Sequence, residues 1–312
     1  GTVTDGDIRR ALIKRRLMDS TVTGLMNADP LVATTGDSQE SIQRKMSENN
    51  VARIPVVDKN YRIIRVERDN TLNPSMRLEN PVLLMAGGYG KRLHPLTVDK
   101  PKPMLTIGDK PLLEQILRQL IEQGFHNIYM SVHYRADVIR NYFGDGTRWG
   151  VTIEYLEEAE PLGTAGSVGL LSAKEFVGPV IVINGDLLTR VDYRRLLSYH
   201  REQNGVATMC VREYDLEVPY GVIEADSERV TSVVEKPIHR FFVNAGIYIL
   251  EQLIFDEFEI GSRLEMTDLL QSHISKGARV CMFPIHEYWL DIGRIPEYER
   301  AQKDASERLS KN

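Results

Sequence analysis

The chain has few cysteines, no surplus of positive charge and no long apolar run, and each shortage excludes a class of protein. Its 312 residues include only two cysteines, Cys210 and Cys281, each inside an apolar stretch. We expect two reduced thiols buried in the core rather than a disulfide framework or a metal site. The formal net charge of -5 provides no general basic field, which disfavours a protein that holds nucleic acid by its phosphates.

The sequence also lacks a membrane span. No stretch reaches the roughly 18 apolar residues that cross a bilayer, and no charged and then apolar leader opens the chain. We therefore expect a cytoplasmic protein without a membrane partner. The chain begins with Gly1 in the middle of a motif, so we also expect that further residues precede it in the complete protein.

From residue 81 onward, short apolar runs alternate with amphipathic stretches. Residues 112–121 carry leucine and isoleucine at helical spacing, and Gly124 provides a stop. This alternation predicts an α/β domain over 81–312 with a mixed, mostly parallel sheet and helices on both faces. The candidate strands are residues 81–86, 127–133, 151–156, 179–184 and 206–211.

Residues 1–70 have a different character. They contain helix-like segments around 7–17 and 38–49 and a strand-like run at 52–58. The stretch RDNTLNPSMRLENP that follows is polar and contains asparagine and proline. We therefore expect a small N-terminal segment over 1–70, a linker over 71–80 and a domain boundary near residue 80.

A glycine-rich and basic segment, AGGYGKRLHPLTVDKPKP, directly follows the first predicted strand. Glycines allow a sharp turn whose N–H groups approach phosphate oxygens, and cations in an acidic chain favour the same ligand. The spacing fits neither a Walker loop nor the dinucleotide fingerprint, because Leu93 stands at the last glycine of the latter. We interpret the segment as a phosphate-binding turn rather than an ordinary surface turn. Its glycines and cations are Gly87, Gly88, Gly90, Lys91, Arg92 and Lys102.

This segment resembles the signature loop of the sugar-1-phosphate nucleotidyltransferases, G-G-x-G-[ST]-R-L-x-P-L-T followed by P-K-P. One position departs, since Lys91 stands where serine or threonine is commoner. The resemblance implies a Rossmann-like, GT-A-like nucleotidyltransferase fold. It implies that Arg92 stabilises the reacting phosphates and that Lys102 contacts the nucleotide phosphates. The other residues that it places at the nucleotide are Leu84, Ala86, Gly87, Gly88, Gly90 and Lys91.

Two aspartates are candidate metal ligands. Asp186 follows the apolar run PVIVIN, at the strand end where α/β sheets bind ligands, although aspartates there often cap helices. Asp291 stands between two apolar residues, where a carboxylate is costly without a compensating cation. A Mg²⁺ ion bound by both carboxylates and a nucleotide phosphate explains the pair. The resemblance implies the same, because the aspartates of N-[GS]-D and D-[IV]-G are the family's metal ligands, and it places Gly185 at the nucleotide.

Four further motifs, LGTAG, YGV, VEKP and NAGIYIL, follow in the order that the family shows, so the resemblance covers roughly residues 81–300. It implies that Lys236 holds the sugar phosphate and that Gly221 and Glu235 contact sugar hydroxyls. The implied nucleotide contacts in LGTAG are Leu162, Gly163 and Thr164. The implied sugar-phosphate contacts are Gly166, Gly221, Glu235, Lys236 and Asn244.

The segments LGTAG, FVNAGIYIL and YWLDIG resemble the guanylyl-transferring members most, so GTP and a sugar 1-phosphate are the favoured substrates. The N-terminal segment narrows the resemblance to glucosamine-1-phosphate guanylyltransferases of legionaminic acid biosynthesis. Mannose-1-phosphate guanylyltransferases and glucose-1-phosphate thymidylyltransferases or uridylyltransferases are the alternatives. We expect a homo-oligomer.

Residues 1–70 resemble a pair of CBS repeats whose first repeat lacks its beginning. In that family G-x-x-T-x-x-D, here Gly1, Thr4 and Asp7, binds the ribose of an adenine nucleotide. Glu67 stands where serine or threonine is usual, so packing or dimerisation is the alternative to nucleotide sensing. A nucleotide-sensing protein with an inactive transferase domain is the non-enzyme alternative, and the presence of both aspartates and all the cations argues against it.

Overall fold

Two units make up the chain, Gly1–Arg77 and Leu78–Asn312. The structure, a computed structural model, describes residues 1–14, 21–49, 51–68, 77–172, 174–257 and 261–309. The described helices are α1 (Asp5–Ile13), α2 (Gln39–Glu48), α3 (Leu112–Glu122), α4 (Ala136–Phe143), α5 (Gly163–Gly169), α6 (Tyr193–Gln203), α7 (Met266–Ser275) and α8 (Ile295–Leu309). The described strands are β1 (Ala33–Thr34), β2 (Arg53–Val57), β3 (Ile63–Arg68), β4 (Val82–Met85), β5 (Thr106–Ile107), β6 (Lys110–Pro111), β7 (Asn127–Val132), β8 (Thr152–Glu157), β9 (Val180–Asn184), β10 (Leu187–Thr189), β11 (Ala207–Glu217), β12 (Val222–Asp226), β13 (Arg229–Val234), β14 (Ile238–Leu250), β15 (Val280–Ile285) and β16 (Trp289–Asp291).

The N-terminal unit is a small α/β layer. Its sheet has the order β1-β2-β3, with β1 parallel and β3 antiparallel to β2. Ile42 and Met46, one helical turn apart on α2, pack on Ile54 and Val56 of β2. The helix-like segments of the sequence correspond to α1 and α2, although residues 15–17 and most of the predicted linker, 71–76, lie outside the described residues.

The second unit is built on a seven-stranded sheet of order β15-β11-β14-β9-β4-β7-β8. Strands β9, β4, β7 and β8 run parallel, as do β15 and β11, while β14 is antiparallel to both of its neighbours. The predicted mixed, mostly parallel sheet is therefore confirmed. The reversed strand carries the NAGIYIL motif.

Alternation along the strands explains why helices cover both faces of this sheet. On β9, Ile181 and Ile183 face one apolar cluster with residues of α3, α4 and α6, whereas Val180 and Val182 face a second cluster with residues of α5 and α7. A strand buried on both faces has no polar alternation, which is why PVIVIN is a continuous apolar run. The carboxyl ends of β4 and β9 lie side by side, so the segments that follow them meet at one edge.

The structure bears on two predictions made from the sequence, one about the two cysteines and one about membrane-spanning helices. Both cysteines are free, and Cys210 is buried as predicted. The prediction for Cys281 is wrong, because this residue is only partly buried at the beginning of the edge strand β15. Within the described ranges, no helix is both long and apolar enough to cross a membrane.

Candidate functional site

The glycine turn after β4 packs closely against two neighbouring segments. A Cβ atom at Gly87 would lie 2.9 Å from Oε1 of Glu158, and one at Gly90 would lie 2.9 Å from Cβ of Lys102. Gly90 also has a φ of +65°, a conformation that favours glycine. A Cβ atom at Gly88 would meet nothing within 4 Å, so its backbone borders open space. The glycines thus let the turn, Glu158 and Lys102 approach one another.

A hydrogen-bonded chain of aromatic side chains supports this turn. Oη of Tyr89 lies 3.0 Å from Nε2 of His133, whose Nδ1 lies 2.7 Å from the backbone oxygen of Glu158. Because a carbonyl oxygen only accepts, Nδ1 carries a proton and donates to it, which leaves Nε2 to share the other hydrogen bond with the hydroxyl of Tyr89. Nζ of Lys91 lies 5.3 Å from the centre of the Tyr89 ring. The residue that departs from the family's loop pattern is therefore held against an aromatic neighbour within the same loop.

A short antiparallel ladder brings the two candidate metal ligands together. Asp186 follows β9 and immediately precedes β10, which pairs with β16 so that Leu187 lies opposite Asp291. The N–H of Ile292 donates to the backbone oxygen of Asp186 at 3.0 Å. Two aspartates that are far apart in the sequence thus lie on adjacent strands beside the end of β4.

The carboxylates of Asp186 and Asp291 lie near two cations, Lys102 and Arg92. Although part of its side chain stays accessible, surrounding protein raises the pKa of Asp291, and the negative charge of Asp186 raises it further. The charges of Lys102 and Arg92 oppose that rise. The ammonium of the largely buried Lys102 pairs with Oδ2 of Asp186. In the described part of the chain, the exposed guanidinium of Arg92 makes no hydrogen bond or ion pair.

The donor atoms at this ladder fit a small divalent cation. Oδ1 of Asp186 and Oδ1 of Asn184 are buried and have no hydrogen-bond partner among the described residues. Mg²⁺ takes oxygen ligands, often one or two carboxylates together with substrate phosphates. Asp186 and Asp291 can therefore hold this ion, with the charge of Lys102 beside them.

A cavity of about 260 Å³ lies between the glycine turn, the end of β9 and the LGTAG segment. Besides Asp186, its polar lining includes hydroxyls of Ser131 and Ser167 that are buried without a partner in the described structure. Buried polar atoms of this kind are costly unless a ligand or water satisfies them. The cavity is therefore the place where a polar ligand would meet Asp186, and Lys102, Glu158, Gly163, Thr164 and Glu265 also line it.

The LGTAG segment is fastened to the beginning of α7. Oγ1 of Thr164 donates to Oε2 of Glu265 at 2.8 Å and accepts from the N–H of Met266 at 2.8 Å. A Cβ atom at Gly166 would lie 2.8 Å from the backbone oxygen of Ser262, so this glycine is required for packing. Gly166 lies inside α5 and does not line the cavity, whereas its neighbour Ser167, Gly163 and Thr164 do.

The remaining residues that the resemblance assigns to the nucleotide are mostly buried. The side chains of Leu84 and Ala86 belong to the apolar core. Leu162 is buried as well, and its N–H donates to Oε2 of Glu158 at 3.1 Å. A Cβ atom at Gly185 would lie 2.5 Å from the backbone oxygen of Met85. These positions shape the cavity wall through backbone and packing.

Three of the residues assigned to the sugar, Gly221, Glu235 and Lys236, lie at the base of a separate hairpin formed by β12 and β13. Gly221 and Glu235 are neighbours there, since a Cβ atom at Gly221 would lie 3.0 Å from Oε2 of Glu235. Lys236 has a φ of +46°, and its N–H donates to the backbone oxygen of Tyr220 at 3.3 Å. All three residues are exposed, and no hydrogen bond or ion pair joins them to the aspartates within the described ranges.

Asn244 lies on the reversed strand β14 and is not part of the cavity lining. Its Nδ2 donates to Oη of Tyr248 at 2.6 Å, and its Oδ1 accepts from the N–H of Gly246 at 3.0 Å. Burial raises the pKa of Tyr248 to about 12, with contributions from the charges of Asp186 and Glu265. Asn244 thus donates to a buried phenol whose pKa responds to the charges of Asp186 and Glu265.

In the N-terminal unit, Thr4 and Asp7 bind each other. Thr4 is the N-cap of α1, its Oγ1 donates to Oδ2 of Asp7 at 2.6 Å, and Oδ2 also accepts from the N–H of Thr4 at 2.8 Å. Arg10 pairs with the other oxygen of Asp7 at 2.5 Å. These bonds lower the pKa of Asp7 against the opposing effect of burial. Both side chains are used to start a helix, while an adenine-nucleotide site there stays a prediction.

Sequence reasoning did not identify several residues of the cavity wall. Glu158 stands in the acidic run EEAE, which resembles a solvated loop, yet it is buried. Its position two residues after the buried Leu156 was the available signal. Ser131, Ser167 and Glu265 had no local signal, because only the packing of distant segments brings them to the cavity.

Comparison with known proteins gives the same assignment for both units. The nucleotidyl transferase family model matches residues 81–308, and the CBS domain model matches residues 22–66. A probable mannose-1-phosphate guanylyltransferase 3 of Oryza sativa subsp. japonica is 32% identical over 226 residues, which are 69% of this chain and 62% of that protein. The chain thus spans less than two thirds of the length of that relative.

Two further relatives are nearly fully covered. The D-glycero-alpha-D-manno-heptose 1-phosphate guanylyltransferase of Aneurinibacillus thermoaerophilus is 31% identical over 224 residues, 71% of this chain and 96% of that protein. The crystal structure of HddC from Yersinia pseudotuberculosis complexed with GMP-PN is 28% identical, has a TM-score of 0.57 and covers 72% of this chain and 99% of that chain. The predicted family resemblance is confirmed for both units.

The aspartate pair makes a prediction about stability. Because the pKa of Asp291 is raised in the folded protein, stability is lost as the pH rises through that pKa, and the ionised carboxylate destabilises the fold at neutral pH. We expect Asp291→Asn to raise the melting temperature by about 1–3 °C in the presence of EDTA. Added MgCl₂ should raise the melting temperature of the unmodified protein more than that of the variant. A variant that melts lower in EDTA, or responds equally to MgCl₂, would contradict this account.

Proposed function

Because the chain belongs to the nucleotidyl transferase family, we propose that it transfers a nucleoside monophosphate, GMP from GTP, to a sugar 1-phosphate and releases pyrophosphate. The observation that carries the proposal is the pair Asp186 and Asp291, which lies with Lys102 and Arg92 beside a glycine turn and a polar cavity. Such an arrangement is suited to bringing two polyanions into contact.

The chemistry needs little from the protein besides positioning and charge. An oxygen of the sugar phosphate attacks the α-phosphorus of the nucleotide in line, and the bond to the bridging oxygen of pyrophosphate breaks. The nucleophile is an anion at neutral pH, so no general base is required. The protein has to overcome the repulsion between two phosphorylated substrates and hold the reacting atoms in contact.

Each cation has a proposed role that follows from its place. Arg92, at the end of the glycine turn and without a protein partner in the described structure, is available to a triphosphate. Lys102 balances Asp186 and can shift toward a phosphate when a metal takes the carboxylate. Mg²⁺ held by Asp186 and Asp291 would supply further positive charge at the α-phosphate. Lys236 on the β12–β13 hairpin is proposed to position the sugar phosphate.

Glu158 gives a physical reason for the choice of GTP. Guanine presents two adjacent N–H donors, at N1 and N2, and a carboxylate with two oxygens accepts such a pair. Uracil and thymine present one N–H donor between two carbonyl oxygens, which a carboxylate repels. The carboxylate of Glu158 lies in the cavity wall. Among the described residues it accepts a hydrogen bond only from the N–H of Leu162. Two of the similar proteins are named as guanylyltransferases, which agrees with this choice.

The sugar, the pathway and the compartment stay predictions. The names of the relatives contain mannose 1-phosphate and a manno-heptose 1-phosphate, whereas the sequence resemblance favours glucosamine 1-phosphate and legionaminic acid biosynthesis. A cytoplasmic location and a homo-oligomeric state rest on the sequence alone. We propose a sugar 1-phosphate as the acceptor, and the assay with four sugar 1-phosphates described next identifies which one.

The proposed function is tested by pyrophosphate release from GTP, UTP, dTTP, CTP and ATP with glucosamine 1-phosphate, mannose 1-phosphate, heptose 1-phosphate and glucose 1-phosphate. We expect the highest kcat/KM with GTP. Asp186→Asn should lower kcat at least about 10²–10³-fold, because charge stabilisation of the transition state is lost. Asp226→Asn, an exposed acid on β12, is the control and should be near normal. Release with no pair of substrates, or equal activity of both variants, would refute the proposal.

The role of Glu158 is tested by its own substitution. Glu158→Gln should lower kcat/KM for GTP about 10–100-fold, the effect of losing a hydrogen bond to a charged group. The ratio of kcat/KM for GTP to that for UTP should fall by a similar factor, because the amide no longer repels a pyrimidine. Glu157→Gln changes the adjacent glutamate, which is exposed and pairs with Arg140, and should leave the ratio unchanged. Indistinguishable ratios for the two variants would show that Glu158 does not read the base.

Lys236→Ala tests the sugar end of the site. Removing this cation should raise the KM for the sugar phosphate about tenfold or more, because a hydrogen bond to a charged group contributes about 1.5–3 kcal/mol. The KM for GTP should stay within about twofold, because Lys236 is proposed to contact only the sugar phosphate. Arg229→Ala, a cation at the tip of the same hairpin, is the control. An effect confined to the KM for GTP would mean that Lys236 serves the nucleotide.

A further inference from the structure

Val132, the last residue of β7, and His133 after it hold the backbone of Glu158 on both sides. The pairing of β7 with β8 ends where Val132 lies opposite Glu157. Beyond that point the N–H of Glu158 donates to the backbone oxygen of Val132 at 3.0 Å. The backbone oxygen of Glu158 accepts from Nδ1 of His133 at 2.7 Å. A side chain thus continues the attachment of Glu158 where the backbone ladder stops.

The other nitrogen of the same imidazole reaches the glycine turn. Nε2 of His133 lies 3.0 Å from Oη of Tyr89, and the two rings meet edge to face with their centres 5.4 Å apart. Tyr89 belongs to the turn and carries the ammonium of Lys91 against its ring. The two nitrogens of His133 therefore connect Glu158 to the segment that is proposed to bind the triphosphate.

The carboxylate of Glu158 follows its backbone, because the space around it is closely packed. Glu158 is 7% exposed, and its Oε2 accepts from the N–H of Leu162 at 3.1 Å. A Cβ atom added at Gly87 would lie 2.9 Å from Oε1 of Glu158 and 3.4 Å from Cβ of His133. In such packing a small displacement of the backbone also displaces the carboxylate. Because a pair of hydrogen bonds requires both carboxylate oxygens in place, the position of this backbone affects what the carboxylate can bind.

His133 acts only through its partners. It is half-buried, and it is not among the residues that line the cavity of about 260 Å³. We propose, on the basis of the base-reading role proposed for Glu158, that His133 is a positioning residue that determines the choice of base. Its Nδ1 fixes the carboxylate that meets guanine, through the backbone of Glu158. Its Nε2 fixes Tyr89 and the turn, which serve every nucleotide alike.

The bond to Glu158 does not depend on the charge of the ring. A carbonyl oxygen only accepts, so Nδ1 of His133 carries a proton whether the imidazole is neutral or charged. The neutral ring has a bare Nε2 that accepts from the hydroxyl of Tyr89, whereas the charged ring donates to it. Both charge states therefore keep the base-reading carboxylate in the same place.

Two amide side chains separate the two bonds, because each places a donor at one nitrogen of the imidazole. The amide of asparagine reaches as far as Nδ1, and that of glutamine reaches as far as Nε2. In the full chain, His133→Asn keeps a donor for the backbone oxygen of Glu158 and loses the contact with Tyr89. His133→Gln keeps the contact with Tyr89 and loses the donor for Glu158. Isothermal titration with GTP and with UTP in MgCl₂, without a sugar phosphate, measures both dissociation constants.

We expect His133→Gln to lower the preference for GTP, the ratio of the dissociation constant of UTP to that of GTP, about three- to tenfold. A factor of this size corresponds to one hydrogen bond. A merely structural role of His133 would weaken both nucleotides equally. His133→Asn should keep the preference within about twofold and weaken both nucleotides by one common factor, and Tyr89→Phe, which removes only the hydroxyl, should do the same.

The control is the same change at another histidine. His126 is half-buried as well and stands just before β7, at the opposite end of the strand from His133. His126→Gln should leave both dissociation constants within about twofold. A preference for GTP that falls equally in His126→Gln and His133→Gln would overturn the proposal.

A measurement on the free protein tests the bond itself. With isotopically labelled histidine, nitrogen NMR at alkaline pH shows which nitrogen of the neutral ring carries the proton, and the signals lost in His133→Asn belong to His133. We expect the proton on Nδ1. A proton on Nε2 alone overturns the proposal, and so does a preference for GTP that is absent from the unmodified protein or unchanged in His133→Gln. Neither readout involves turnover, so a failure of the proposed reaction is seen separately, as the absence of pyrophosphate release.

Discussion

The structure of the candidate site depends on holding two mutually repelling carboxylates side by side. Asp186 and Asp291 are placed together by the short ladder between β10 and β16, and the negative charge of Asp186 adds to the effect of burial in raising the pKa of Asp291. The ladder is stabilised by a separate apolar cluster beneath it. The cluster also includes Leu93 of the glycine turn, so the cation-bearing turn and the aspartates rest on one base. Its buried members are Leu93, Leu105, Ile107, Leu112, Leu188, Leu290, Ile292 and Ala301.

Local sequence patterns were sufficient to predict the elements that depend only on contiguous residues. The continuous apolar run of β9 predicted a strand buried on both faces, and the spacing in residues 112–121 predicted α3. The magnesium argument and the family resemblance paired the two aspartates, and the structure places them at one end of a ladder between β10 and β16 that no local sequence signal indicates. The reversed direction of β14 could not be predicted, because a parallel and an antiparallel neighbour require the same apolar residues.

The residues that were missed share a physical cause. Glu158 is charged and stands among other acids, so composition assigns it to solvent, whereas the glycine at position 87 leaves the space in which its carboxylate lies. Thr4 and Asp7 show the converse case, since residues that fit a ribose-binding motif also form a capping box that starts α1. The role of Glu158 is decided by a partner that is distant in the sequence. The role of Thr4 and Asp7 is decided by which of two possible partners they bind.

The excursion of the chain over residues 213–242 leaves the central sheet on β11 and returns on its direct neighbour, β14. Its length can therefore change without shifting the register of β9 and β4 or the ladder that holds the aspartates. Insertions and deletions there would alter the acceptor end while the nucleotide end keeps its geometry. If Gly221, Glu235 and Lys236 hold the sugar as proposed, one excursion of the chain can be remodelled for another sugar while the residues proposed for the phosphate chemistry keep their places.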